Sequence, residues 1–236
     1  MKKPHDRYSP SFSFGPIKRR GDQPASKPAA PPAAGPALGT PGAQPAGEPA
    51  SSAGPAPPAA GSLLQWAGAP KATLAIVFTD IVSSAALGNK LGNRAMDELR
   101  RAHFRCASEL VNRYGGRVVK TIGDSVMAAF HAASDALDFA SAVNCDPGDD
   151  RIVVRVGIHV GPVTVEENDV YGATVNYAAR VVAAPQDAEV WLSSEAKSHV
   201  DQEGAPHQAL LRWLNHTGLE IKGFPGKHIL WSLVAR

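Results

Sequence analysis

At 236 residues, with 44% hydrophobic and 19% charged side chains, the chain is long enough for one well-packed domain plus an extension. Its formal charge of +2 is unevenly placed: residues 1–60 hold 7 Lys and Arg against 3 Asp and Glu, the remainder 17 against 19, so a basic nucleic-acid surface is not a property of the part that can fold. No apolar run reaches the roughly 18–20 residues of a bilayer span, and the start, MKKPHDRYSP, lacks the apolar segment of a signal peptide.

The first predicted unit is a tail over residues 1–62. Fourteen of the 20 prolines fall in residues 1–60, and from Lys27 to Gly61 the sequence is nearly all Pro, Ala, Gly and Ser. Such a segment cannot offset its ordering entropy with apolar burial, so it is expected to be disordered or polyproline-like. Lys18-Arg19-Arg20 is either a solvated run or a contact for a membrane surface or an acidic protein partner. Only Cys106 and Cys145 are present, which fits a reducing cytoplasm better than a disulfide scaffold.

The folded unit is predicted over residues 63–236. Ala72 to Thr79 (ATLAIVFT) reads as a buried strand that delivers Asp80 at its end. Residues 92–114 carry Met96, Leu99, Cys106, Leu110 and Tyr114 at helical spacing and stop at Gly115-Gly116. Strands over 117–122 and 125–130 follow, joined at Gly123-Asp124, then a helix over about 132–144 that ends in the turn-rich DPGDD. Arg151 to His159 alternates like a half-buried strand, a further strand follows Gly161-Pro162, and 174–184 reads as an alanine-rich helix. A short strand over 188–193 and terminal strands or hairpins over about 207–232 complete the order. This is an α+β pattern, close to the ferredoxin-like arrangement, with helices packed on a mainly antiparallel sheet.

Asp80 and Asp124 each stand at the edge of an apolar strand. A carboxylate beside a core is paired, hydrogen-bonded or bound to a cation. One reading makes Asp80 a helix cap and Asp124 a turn residue. The other places both at one sheet edge, where they hold two divalent ions about 3.5–4 Å apart. His103 and His159 lack partners at metal-ligand spacing and read as structural, and the scattered Trp66, Trp191, Trp213 and Trp231 read as packing residues.

Four ordered runs, VFTDIVSS, GGRVVKTIGDSVMAAF, RVGIHVGPV and DVYGATVNYAARV, resemble the catalytic domain of class III nucleotidyl cyclases over about residues 72–232. The resemblance implies the ferredoxin-like nucleotide cyclase fold and a head-to-tail homodimer, with active sites in the cleft between subunits. It matches Asp80 and Asp124 to the metal-binding aspartates and the Ile81 carbonyl to a backbone ligand. Lys120 and Asp169 match the residues that read the purine, Asn176 the ribose-orienting asparagine and Arg180 the transition-state arginine. In EIKGFPGKHILW, Lys222 matches the lysine at the terminal phosphates, with Lys227 as the alternative. Serine at 125 replaces the glycine that many members carry.

The implied activity is formation of cyclic AMP and pyrophosphate from ATP with two divalent cations, Mg2+ or Mn2+. Lysine and aspartate suit adenine because N1 accepts a hydrogen bond and the amine donates one. Asp80 and Asp124 of one subunit would work with Lys120, Asp169, Asn176 and Arg180 of the other. The rival reading is a catalytically silent cyclase-like domain that dimerises or binds a partner; a two-metal nuclease or polymerase-like domain would require nucleic-acid binding that the folded part's negative balance does not favour.

Overall fold

The computed structural model describes residues 61–184, 189–205, 208 and 211–233. The predicted tail over 1–62 lies outside this set except for Gly61 and Ser62. The described chain opens with a one-turn helix, α1 (Leu63–Ala67), held by a reciprocal Ser62/Gln65 capping box. Then come β1 (Lys71–Ile81), α2 (Ser84–Leu91), α3 (Asn93–Arg113), β2 (Arg117–Ile122), β3 (Ser125–Phe130) and α4 (Ala133–Cys145). The second half holds β4 (Val154–Glu166), β5 (Asp169–Tyr171), α5 (Ala173–Val181), β6 (Val190–Ser193), α6 (Ser194–Glu203), β7 (Trp213–Ile221) and β8 (Phe224–Leu233).

The expected α+β arrangement forms. One open sheet runs β2-β3-β1-β4-β6-β8-β7, with β5 added beside β4, and every pairing is antiparallel except β4 with β6. Central β1 is apolar on both faces because helices cover both. Ala75 and Val77 pack with α3, α4 and α6, whose contributions include Leu99, Val111, Phe139 and Val200. Leu74, Ile76 and Phe78 pack on the other face with α1 and α5 through Leu63, Val175, Ala178 and Val182.

The sheet differs from the sequence expectation at β4. Gly161-Pro162 does not break the strand, which pairs with β1 without interruption from Thr164 back to Val154. On its other side β4 has no partner among the described residues between Ile158, where β6 stops, and Thr164, where β5 begins. A proline is tolerated there because that flank requires no N–H donor. Four short elements, α1, α2, β5 and α6, were not expected as separate elements.

Candidate active site

Alternation along β1 puts Asp80 on the same face as Phe78, the α1/α5 side, while Thr79 faces α3. The β1–β3 ladder ends at Phe78↔Met127, but β1–β4 continues to Ile81↔Val154. Beyond Phe78, β1 and β3 therefore separate, and the β2–β3 turn, made with Gly123 at φ 63°, sets Asp124 beside the opening. Side chains span the gap. Ser125 donates from Oγ to Asp80 Oδ1 at 3.2 Å, and Thr79 Oγ1 accepts from the Val126 N–H at 3.1 Å.

Arg155 stands directly opposite Asp80 in the ladder and donates to Asp80 Oδ2 from Nε at 2.8 Å and from Nη2 as well. Burial pushes the Asp80 carboxyl above its ordinary pKa against the opposing pull of Arg155, and the nearby Asp124 charge adds to the rise. Asp124 has the complementary feature: its Oδ2 is buried and, among the described residues, has no hydrogen-bond partner. Behind this pair, the Pro147 carbonyl can only accept, so His103 Nδ1 donates to it at 3.2 Å and Nε2 accepts from the Thr79 hydroxyl at 2.9 Å. Val126, Thr79, His103 and Pro147 thus form one directional chain of hydrogen bonds tying the strand ends to α3.

These residues fit a divalent cation. A buried, unpartnered carboxylate oxygen carries an uncompensated desolvation cost that a cation would remove, and a cation beside Asp80 would reverse the upward push on its carboxyl. Ile81 has a hydrocarbon side chain, packed away at 2% exposure, and could offer a cation only its backbone carbonyl. Among the described residues no group of three or more His, Cys, Asp or Glu gathers as a cage. Mg2+ sites built from one or two carboxylates complete their shell with water and substrate phosphates.

The residues expected to read the purine meet across 49 positions of sequence: Lys120 Nζ lies 2.9 and 2.7 Å from Asp169 Oδ1 and Oδ2. A β-bulge between Val118 and Lys120 makes this contact. Val118 packs on the α3/α4 side, whereas Lys120 sits opposite Met127, a residue of the α1/α5 core. The extra residue turns the lysine to the face where β5 carries Asp169, the kind of re-aiming that bulges perform.

α5 buries Val175, Tyr177, Ala178, Ala179 and Val181 and leaves Asn176 exposed and Arg180 partly exposed, one turn apart on its outer side. The helix lies against β4 at Gly157, where an added Cβ would stand 2.2 Å from the Val182 backbone nitrogen. Lys222 is exposed in the β7–β8 turn. Lys227, the alternative to it, is paired with Glu220 at 2.6 Å, both side chains exposed.

Within one chain the sequence-predicted residues fall into separate groups: Asp80 with Asp124, Lys120 with Asp169, Asn176 with Arg180, and Lys222 on its own hairpin. Neither aspartate is hydrogen-bonded or ion-paired to Lys120, Asn176, Arg180 or Lys222 among the described residues. Sheet order puts β8 three strands from β1, about 14 Å at ordinary strand spacing. Sequence reasoning missed Arg155 and the Thr79–His103 link, and marked Ser125 only as a departure from the family's glycine. Arg155 left a trace, as the single charge inside an apolar alternation.

An open α+β sheet with two carboxylates at a parted strand end, a bulged lysine against an aspartate and a polar helix face defines a nucleotide-cyclase type of domain. A family model described as the adenylate and guanylate cyclase catalytic domain matches residues 68–234, and the chain belongs to that family. It is 35% identical over 136 residues to an adenylate cyclase of Streptomyces coelicolor, covering 56% of this chain and 36% of that protein. A second, from Streptomyces griseus, is 34% identical over 132 residues, covering 55% and 33%. The matched region thus spans about a third of those relatives. The fold is shared with the adenylyl cyclase CyaB from P. aeruginosa, with TM-score 0.61, 22% identity and coverage of 70% of this chain and 95% of that one. It is also shared with the guanylate cyclase domain of RhGC from Catenaria anguillulae, with TM-score 0.58, 20% identity and coverage of 70% and 97%. No helix among the described residues is long and apolar enough to cross a membrane.

Proposed function

We propose that the chain is an adenylate cyclase, converting ATP to 3′,5′-cyclic AMP and pyrophosphate in sites shared between two copies, with residues 63–236 as the catalytic domain. The observation that carries the enzymatic reading is the buried, unpartnered Asp124 oxygen beside Asp80. A domain that only binds a partner has no use for such a cost. The choice of ATP rests on Lys120 and Asp169: the ammonium donates to adenine N1 while the carboxylate accepts from the amine.

Bound divalent ions, Mg2+ or Mn2+, would lower the pKa of the ribose 3′-hydroxyl and neutralise the phosphates. Asp80, Asp124 and the Ile81 carbonyl would hold them. Asn176 orients the ribose so that the 3′-oxygen faces the α-phosphorus, and Arg180 offers its guanidinium to the charge that gathers on the α-phosphoryl group. Lys222 takes the terminal phosphates and so favours departure of pyrophosphate. Arg155, which holds Asp80, would exchange that carboxylate for a phosphate oxygen when substrate arrives. The separation of these groups within one chain supports a two-fold homodimer in which Asp80 and Asp124 of one copy face the remaining residues of the other. The free thiols of Cys106 and Cys145 and the nature of the substrate support a cytoplasmic setting.

The silent-domain reading draws on the Asp80–Arg155 pair, in which a guanidinium already compensates one carboxylate. Cyclic nucleotide formation from ATP and from GTP, with Mn2+ or Mg2+, separates the two. We expect cyclic AMP from the native chain and a loss of at least about a hundredfold, about 2.7 kcal/mol, in Asp124→Ala. A folded native chain that turns over neither triphosphate with either ion would favour the silent domain.

A further inference from the structure

α5 and the β7–β8 hairpin meet through side chains to which the reaction itself assigns nothing. Tyr177 lies next to Asn176 in sequence but points inward, 8% exposed. It forms a small core with Val181, Trp191, Ile221 and Leu230, with Phe224 packed against it. Its ring meets Phe224 edge-on at 4.8 Å, His228 at 5.5 Å and His159 at 4.4 Å.

Hydrogen-bond directions follow from the groups present. His228 Nε2 is 3.3 Å from the Phe224 carbonyl oxygen, which can only accept, so Nε2 carries the proton and Nδ1 is the acceptor. The Tyr177 hydroxyl, 3.0 Å from Nδ1, is therefore the donor. Burial first, and Glu195 second, push this hydroxyl up to about 12, so it keeps its proton through the neutral range. Phe224 closes the hairpin opposite Ile221, two residues after Lys222.

The hairpin requires such an anchor. Among the described residues β7 pairs only with β8, and their register shifts between His216 and Leu219 and again between Leu219 and Ile221, so regular pairing is interrupted just before the turn that carries Lys222. An exposed tip with an interrupted ladder opens readily.

We propose that Tyr177 and His228 form a strut that holds the Lys222 hairpin at a set position relative to Asn176 and Arg180 on α5. Tyr177 and His228 are positioning residues. In the terms of the cyclase reading, on which this part rests, the strut fixes the span between the arginine at the α-phosphoryl group and the lysine at the terminal phosphates.

Tyr177→Phe in the full chain tests this, because it removes the hydroxyl and keeps the ring. Amide hydrogen exchange over residues 219–228 is expected to quicken about fivefold, the ratio that one net hydrogen bond is worth, while α3 is unchanged. In steady-state assays the KM for ATP is expected to rise about fivefold in the native background and to remain unchanged when Tyr177→Phe is added to Lys222→Met. Unchanged exchange over the hairpin, or an equal rise in KM in both backgrounds, would overturn the strut. If the native chain turns over neither ATP nor GTP, the cyclase reading fails by itself: faster hairpin exchange in Tyr177→Phe still supports the strut, and unchanged exchange still removes it.

Discussion

His103 is an instructive residue because it is fully buried, neutral and close behind the two aspartates. Burial lowers its pKa, outweighing the Pro147 hydrogen bond and the Asp124 charge that act to raise it. An unfolded imidazole takes its proton near pH 6.5, while the folded one takes it only at lower pH. Between those values the unfolded state binds more protons, so stability is complete above about pH 6.5 and falls as the pH drops toward the folded pKa. Melting temperatures measured from pH 7.5 to 5 are expected to decline across that window and to decline less in His103→Asn. His159, also lowered by burial against the pull of Glu195, contributes the same sign and leaves a residual slope. On the proposed adenylate cyclase reading, alanine at Asp169 would remove the acceptor for the adenine amine while leaving Lys120; loss of a charged hydrogen bond of about 1.5–3 kcal/mol corresponds to an expected fall of about 10- to 150-fold in kcat/KM for ATP. GTP, whose O6 accepts instead, is expected to gain relative to ATP. Asp80, Asp124, Lys120 and Asp169 were legible in the sequence, the last two as a pair, but the arginine opposite Asp80 was not. Arg155 meets Asp80 only because β4 pairs with β1 in one register, 75 positions away, and nothing local in either strand encodes that alignment.

At the scale of elements, legibility followed burial. β1, β3, α3 and α4 present full apolar faces and were readable as such, whereas α2 has no buried residue and α6 buries only Ala196 and Val200. Neither offers an apolar stripe to read. The bulge in β2 was invisible for a related reason: the run VVKTI alternates acceptably in either register, and only pairing with β3 decides which face receives Lys120. Gly157 shows how closely one element depends on another. A methyl group there would stand 2.2 Å from the Val182 nitrogen and 2.6 Å from its Cα, and backbone cannot rotate aside as a side chain would. Gly157→Ala is expected to push the end of α5 off β4 at a cost of about 1–3 kcal/mol, the usual penalty of overpacking, visible in chemical denaturation. Because α5 carries Arg180 and Asn176, kcat is expected to fall more than thermal stability alone would account for at temperatures where the variant remains folded.

The whole molecule presents the same separation at a larger scale, with carboxylates near the parted end of β1 and β3 and the remaining groups on α5, β2, β5 and the hairpin. If each site takes Asp124 from one copy and Arg180 from the other, Asp124→Ala and Arg180→Ala are complementary defects. Each variant alone makes dimers whose two sites both lack one group. In a mixed dimer, one site carries both defects and the other carries neither. Random equal mixing makes half of all dimers mixed, with one intact site in two, so the mixture is expected to recover about a quarter of native activity. Recovery should track exchange of subunits, rising with incubation and vanishing at dilutions where the native chain is monomeric by light scattering. A site complete within one chain would give no recovery at any ratio, and native activity would then persist under those dilute conditions.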